Sequence, residues 1–299
     1  MITRRTVLAT AGLAAIGATT ARSATETDMT DLPFSGTTPI SVSRVGLRAR
    51  DAEGLASYYK ALLGLEELTR SGGDITLGAA GRPLLVLESA PKAKPDDPRS
   101  AGLFHTAFLF PSRADLGRWI KHAAQNRIRV EGASDHLVSE ALYLTDPEGN
   151  GIEIYADRPK EAWSWEGQSV AMATERLDVE GVVASVPADQ PDWKGAPENT
   201  IVGHVHLRVG DPLAAERFWH QEYGFDTVAK YGPAAVFLSS GGYHHHIGAN
   251  IWQSARAGRR DDERSGLSWV ELRATDPKYA GEKRDPWGTV IRTIEAMPG

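Results

Sequence analysis

One carboxylate and several imidazoles stand at strand-like positions in this chain, the donor types from which a metal site is built. Tyr143 and Glu153 lie ten residues apart in ALYLTDPEGNGIEIY (141–155), at the ends of two short apolar runs joined by a tight Asp-Pro-Glu-Gly turn. Upstream, GLFHTAFLF (102–110) carries His105. Downstream, IVGHVHLRVGDP (201–212) carries His204 and His206, and GGYHHHIGANIW (241–252) carries His244, His245 and His246. Each run reads as a strand of its own, and a metal site on a curved sheet needs imidazole and carboxylate delivered from separate strands. The chain has no cysteine, which excludes disulfides, thiolate nucleophiles and cysteine-ligated zinc.

The elements that must position these groups repeat. SVSRVGLRARDAEGLASYYKALLGLEEL (41–68) and IVGHVHLRVGDPLAAERFWHQEYGFDTV (201–228) are the same unit: a strand, an Asp near its end, an amphipathic helix and a glycine. Leu55, Tyr58, Tyr59 and Leu62 in one helix, and Leu213, Phe218 and Tyr223 in the other, are apolar at helical spacing. The glycine after each helix is a C-cap signal, with a strand to follow. LFHTAFLFPSRADLGRWIKHAAQNRIRV (103–130) repeats the theme without that glycine, and GLSWVELRATDP (266–277) opens a fourth copy whose helix is missing or very short. The ending DPWGTVIRTI (285–294) echoes DPEGNGIEIY (146–155). Four modules follow, at about 40–90, 103–157, 200–254 and 266–295, with a Pro-, Trp- and Asp-rich linker over 158–199 between the halves. The organisation predicted is a linker over 25–39, a first domain of modules one and two (40–157), and a second of modules three and four (200–299).

With 299 residues, 41% hydrophobic and 24% charged, the chain has the make-up of an ordinary globular enzyme. A net charge of −6 argues against a nucleic-acid partner, which calls for a basic face. Beyond the N-terminus no run is long and apolar enough to cross a membrane. The first 24 residues pair Arg4 with Arg5, continue with an Ala- and Gly-rich apolar stretch and end on small polar residues. They resemble a twin-arginine export signal cleaved near Ala21 or Ala24, so a periplasmic location is expected. The stretch carries three arginines and no acid, and its removal would take the net charge from −6 to −9.

The four-module pattern, over residues 40–295, resembles the vicinal oxygen chelate superfamily, which includes glyoxalase I and type I extradiol dioxygenases. It is most like the two-domain catechol 2,3-dioxygenase-like members. The resemblance implies an α+β fold of four βαβββ modules, the fourth degenerate, forming paired cupped mixed sheets. It places metal ligands on the first and last strands of a module. At those positions module one has Arg44 and the apolar LLVLE (84–88), and module four has Trp269 and Arg292, so neither supplies a pair of ligands. Modules two and three have His105, Glu153, His204 and His246. The ligand set implied is His105, Glu153 and His204, two histidines and a carboxylate that leave positions open for substrate and dioxygen.

That donor set suits Fe(II), with Mn(II) as a substitute. His246 alternates along its run with Ile247, Ala249 and Ile251, so it is expected on the open face with Gly248 and Asn250. The family offers it two roles, acid–base group beside the metal or fourth ligand, and the first is preferred because imidazole titrates near neutrality. Tyr143 is expected to hydrogen-bond substrate, the bland alternative being strand filler, and His136 to act in catalysis, the alternative being a loop histidine. His206 is a candidate pocket lining, His244 and His245 are assigned to the rim or to packing, and Phe108, Trp219 and Trp252 are candidate aromatics for the pocket. The activity implied is extradiol cleavage of a catechol-like substrate by dioxygen, in a monomer or homo-oligomer. The alternatives are a glyoxalase-type isomerase or lyase using Ni(II) or Zn(II), and a small-molecule binder without chemistry.

Overall fold

In the computed structural model the described residues are 32–296; the export-type stretch 1–24 and residues 25–31 of the segment 25–39 lie outside them. Module one is β1 (Ile40–Ala49), α1 (Ala52–Leu63), β2 (Glu66–Ser71), β3 (Asp74–Ala79) and β4 (Arg82–Ser89). Module two is β5 (Gly102–Phe110), α2 (Arg113–Gln125), β6 (Gly132–Asp135), β7 (Ser139–Thr145) and β8 (Gly151–Asp157). The linker forms a small ribbon, β9 (Trp165–Glu166) with β10 (Ser169–Val170), and a short helix α3 (Val179–Ala184). Module three is β11 (Ile201–Arg208), α4 (Pro212–Tyr223), β12 (Asp226–Tyr231), β13 (Ala235–Ser239) and β14 (Ile247–Asn250). Module four is β15 (Gly266–Ala274), β16 (Gly281–Arg284) and β17 (Val290–Glu295), with a single 3₁₀ turn, Pro277–Tyr279, where the other modules have a helix.

The helix ends follow from their residues. The Asp51 carboxylate accepts the Gly54 N–H at 2.9 Å, and that of Asp211 accepts the Leu213 N–H at 2.9 Å, satisfying donors that a first helical turn leaves free. Gly64 (φ 65°) and Gly224 (φ 67°) end α1 and α4 in the left-handed conformation. α1 buries Leu55, Tyr59 and Leu62 as its spacing predicts. In α4 the spacing misleads at Leu213, which is 55% exposed. The buried line there is Pro212, Ala215, Trp219 and Tyr223, and Leu213 lies one residue, about 100°, around from it.

Two mixed sheets result, ordered β16-β17-β15-β1-β4-β3-β2 and β12-β13-β14-β11-β5-β8-β7-β6. Within every module the first strand runs parallel to the last (β1 with β4, β5 with β8, β11 with β14, β15 with β17). Between modules the first strands pair antiparallel, β1 with β15 and β5 with β11. This corrects the division into 40–157 and 200–299: the sheets join module one to module four and module two to module three. The unlike first strands pair because the chain crosses from one sheet to the other after β4 and returns after β14. The two crossovers run side by side through a bridge between Lys94 and Arg264. One apolar cluster serves both sheets, taking Val45, Leu47 and Leu85 from the first and Phe108, Ile152, Val205 and Ile247 from the second. Phe108 and Trp219, offered as pocket aromatics, belong to this core instead.

Candidate metal centre

His105, Glu153 and His204 come from three adjacent strands of the second sheet. Ala107 on β5 is opposite Glu153 on β8 and opposite His204 on β11, and His105 is two residues from Ala107 on the same face. The small Ala107 side chain leaves the space between them open. A β-bulge completes the arrangement: the β5–β11 register slips between Val202 and His204. Strict alternation would put Val202 and His204 on one face, but the extra residue, Gly203, turns His204 away from the core that holds Val202 and Val205. Only glycine fits there, since a Cβ would lie 1.9 Å from the Tyr155 hydroxyl.

The donor atoms converge. His105 Nε2 is 3.0 Å and His204 Nε2 is 3.2 Å from Glu153 Oε2, and the two Nε2 atoms are 3.3 Å apart. Among the described residues this is the one group of three such side chains able to hold a metal ion. All three are buried, and among the described residues the Glu153 carboxylate has imidazoles beside it but no lysine or arginine among its ion pairs. Burial opposes ionisation of Glu153, but the imidazoles of His204 and His105 outweigh it and hold the carboxyl well below its ordinary range. Burial pushes His204 down to about 4, so its ring is neutral at physiological pH and offers a lone pair. Bonds of about 2.1 Å at right angles around an ion put neighbouring donors ~3.0 Å apart. The residues therefore fit a divalent cation: one buried negative charge, two imidazole nitrogens, and separations suited to one face of a coordination shell.

A cavity of about 270 Å³ opens on the three donors, lined also by Phe104, Ser134, His136, Ser139, Tyr143, Met172, Thr174, His206, Tyr231, Phe237, His245 and Trp252. Tyr143 and His136 are thus in the site, and they form a chain. The His136 Nδ1–H donates to the Ala173 carbonyl at 2.6 Å, so Nε2 accepts the Tyr143 O–H at 2.6 Å. Burial, with the Glu153 charge in second place, raises the Tyr143 phenol well above its usual value, keeping the hydroxyl protonated. The linker does more than join the halves. It supplies Met172, Thr174 and the Ala173 carbonyl, and pairs with β6 through a bridge between Glu175 and Asp135. A cluster of Val138, Trp163, Val170, Phe237 and Tyr243 packs it down, with Phe34 from the N-terminal segment against it.

His246 is not in the cavity. Its Nδ1 accepts the Ser240 N–H at 3.3 Å and its Nε2–H donates to the Ser35 carbonyl at 3.2 Å, with the Thr38 hydroxyl 3.0 Å away. Burial pushes it down to about 3. The alternation expected for it starts one residue too early, because β14 begins at Ile247 and the preceding residues are in a turn. The run instead sends His245 into the cup, its ring centroid 4.2 Å from that of His204. Two partners, buried His244 and half-buried Asp157, fix the His245 tautomer. The Asp157 carboxylate can only accept, so the His244 Nε2–H donates to it at 2.9 Å. The His244 Nδ1 then accepts the His245 Nδ1–H at 2.9 Å, leaving the lone pair on His245 Nε2. Burial holds His245 well below its ordinary value, hence neutral, with the Nε2 lone pair free to accept a proton. The fourth-ligand reading of His246 fails on the same placement.

The first sheet shows what a cup without ligands becomes. By register Trp269, Arg292 and Arg44 hold the places of His105, Glu153 and His204, and Glu271 that of Ala107. Arg44 and Arg292 lie over the Trp269 ring, 5.6 and 4.6 Å from its centroid, and Glu271 grips Arg44 with both oxygens at 2.8 and 2.9 Å.

Comparison with known proteins agrees with this picture. Residues 41–154 match the model of the Glyoxalase/Bleomycin resistance protein/Dioxygenase superfamily. The chain is 40% identical over 267 residues to a catechol-2,3-dioxygenase of Bacillus subtilis (strain 168), covering 85% of this chain and 93% of that one. It is 33% identical over 85 residues to a biphenyl-2,3-diol 1,2-dioxygenase of Rhodococcus globerulus, covering 27% of this chain and 45% of that one. Among solved structures, glyoxalase I from Zea mays superposes with a TM-score of 0.51 at 13% identity, over 86% of this chain and 92% of that one, a likeness of fold.

Proposed function

The chain belongs to the glyoxalase/bleomycin resistance protein/dioxygenase superfamily, and on that footing we propose that it is an Fe(II)-dependent extradiol dioxygenase cleaving an uncharged catechol. One observation carries the reading: a converging His105–Glu153–His204 group opens on an aromatic-lined cavity in a chain 40% identical to a catechol-2,3-dioxygenase. His105 Nε2, His204 Nε2 and a Glu153 oxygen would hold the ion, with Mn(II) the alternative. When bound, it supplies Lewis acidity to the two vicinal hydroxyls and a path for electrons from ring to dioxygen.

The remaining work falls to the side chains. His245, whose lone pair is on Nε2, takes a proton from the diol and returns it as the ring opens. His244 and Asp157 act through it as positioning residues. The Tyr143 hydroxyl, kept protonated and giving its one hydrogen to His136, accepts a hydrogen bond from a substrate hydroxyl. Phe104, Phe237 and Trp252 flank the ring and exclude water. Among the described residues no lysine or arginine lines the cavity, which supports a substrate without a carboxylate. Both atoms of dioxygen end in the product, one in a carboxylate and one in an aldehyde.

Protein loaded anaerobically with Fe(II) is expected to bind one ion per chain and to consume oxygen with catechol or its methylated forms. Glu153→Gln should lose both properties. Iron bound with no oxygen consumed across these substrates would sink the dioxygenase reading, and turnover with Ni(II) or Zn(II) alone would favour the isomerase. We also propose export on the strength of the Arg4–Arg5 stretch; replacing the pair by Lys-Lys should trap the protein in the cytoplasm, and unchanged fractionation would refute it.

A further inference from the structure

A second cavity, of about 230 Å³, lies in the first sheet, apart from the metal group. Arg48 from the end of β1, Arg260 and Arg264 from the crossover before β15, and Arg284 from the end of β16 line it, with Ser268 and Thr289. In a chain of net charge −6 this concentration of guanidinium is not background. Arg264 has a carboxylate, Asp261, at 3.7 Å, and the one lining acid, Asp262, is held by Arg259 at 3.2 Å.

Arg48, Arg260 and Arg284 have no carboxylate within 4.0 Å among the described residues. Each bonds only to backbone carbonyls: Arg48 to that of Asp262, Arg260 to those of Leu267 and Ser265, Arg284 to that of Gly288. Arg260 is 8% exposed. The charges of Asp96 and Asp262 reach Arg260 from beyond ion-pairing distance, but each is engaged by another arginine, Arg208 and Arg259. Carbonyl dipoles orient a guanidinium without neutralising it, and the cluster keeps an excess of positive charge. The planar forks of three arginines around one small polar space match the paired oxygens of a phosphate or carboxylate. We propose that this cavity is a binding site for a compact oxyanion, a phosphate or a small dicarboxylate, held between Arg48, Arg260 and Arg284.

The site joins β1, the returning crossover and the turn before β17, so an occupant would brace the seam where the chain re-enters the first sheet. Titration calorimetry of the full chain with inorganic phosphate, and separately with succinate, at ionic strength fixed with chloride, tests it. Saturable one-to-one binding of either anion is expected, phosphate alone indicating a tetrahedral ligand and succinate alone a carboxylate. Arg48→Gln/Arg284→Gln should weaken that binding at least tenfold with iron content unchanged, and Arg284→Gln, at an exposed position, gives the same test with less risk to folding. No saturable heat with either anion, or undiminished binding in both variants, overturns the proposal.

Discussion

At the scale of single residues, the chemistry turns on a one-position difference within His244–His246. His245 lines the cavity and is tied through His244 to Asp157, while His246 is sealed against Ser35 and Ser240. His245→Gln is therefore expected to keep iron and lose turnover by roughly 10²–10⁴-fold. His246→Gln should leave turnover nearly intact, and the reverse ranking would refute the assignment. His246 also predicts a pH effect. Its folded pKa, about 3, is below the ordinary 6.5, so the unfolded chain takes up the proton first as pH falls. The stability involved is complete above 6.5 and drains away as pH falls toward 3. In urea titrations across that window, His246→Gln should flatten the acid limb by up to about 1.4 kcal/mol per pH unit.

At the scale of elements, a bulge and a covering segment decide the site. Gly203 lets β11 slip against β5, and the slip is what aims His204 at Glu153. A methyl group at that position would meet the Tyr155 hydroxyl, which is 2.7 Å from the Tyr243 hydroxyl and has no room to retreat. Gly203→Ala should cost about 1–3 kcal/mol and weaken metal binding with it. Unchanged unfolding midpoint and unchanged metal affinity would show that the bulge is not needed. Residues 171–175 of the linker have a comparable influence, because the Ala173 carbonyl sets the tautomer of His136 and so the direction of the Tyr143 hydroxyl.

At the scale of the whole molecule, each sheet is made from both halves of the chain, the first from its outer modules and the second from its inner ones. A fragment ending in the linker would hold β1–β8, four strands of each sheet, with β1 and β5 both stripped of their antiparallel partners. Such a fragment is expected to show no cooperative unfolding by circular dichroism, whereas mixing it with the complementary fragment should restore it. A cooperative transition in the isolated N-terminal half would contradict the exchange of modules between sheets.

The module count was legible in the amino-acid order, because it depends on period, turn chemistry and repetition, which are local; the α+β class and the donor set of His105, Glu153 and His204 were implied by the family resemblance that those modules carry. Trp269, Arg292 and Arg44 already indicated there that modules one and four supply no pair of ligands at the family's positions. The partnership of modules, the place of His245 rather than His246, and the linker's part in the cavity depended on tertiary structure. Strand pairing is set by which edges the crossovers bring together. A side chain's face is set by where a strand begins and where it bulges, and neither is written in alternation alone. Glu153, on a regular strand after a tight turn, needed only the sequence; His204 needed Gly203, Tyr155 and the neighbouring strand to turn it inward.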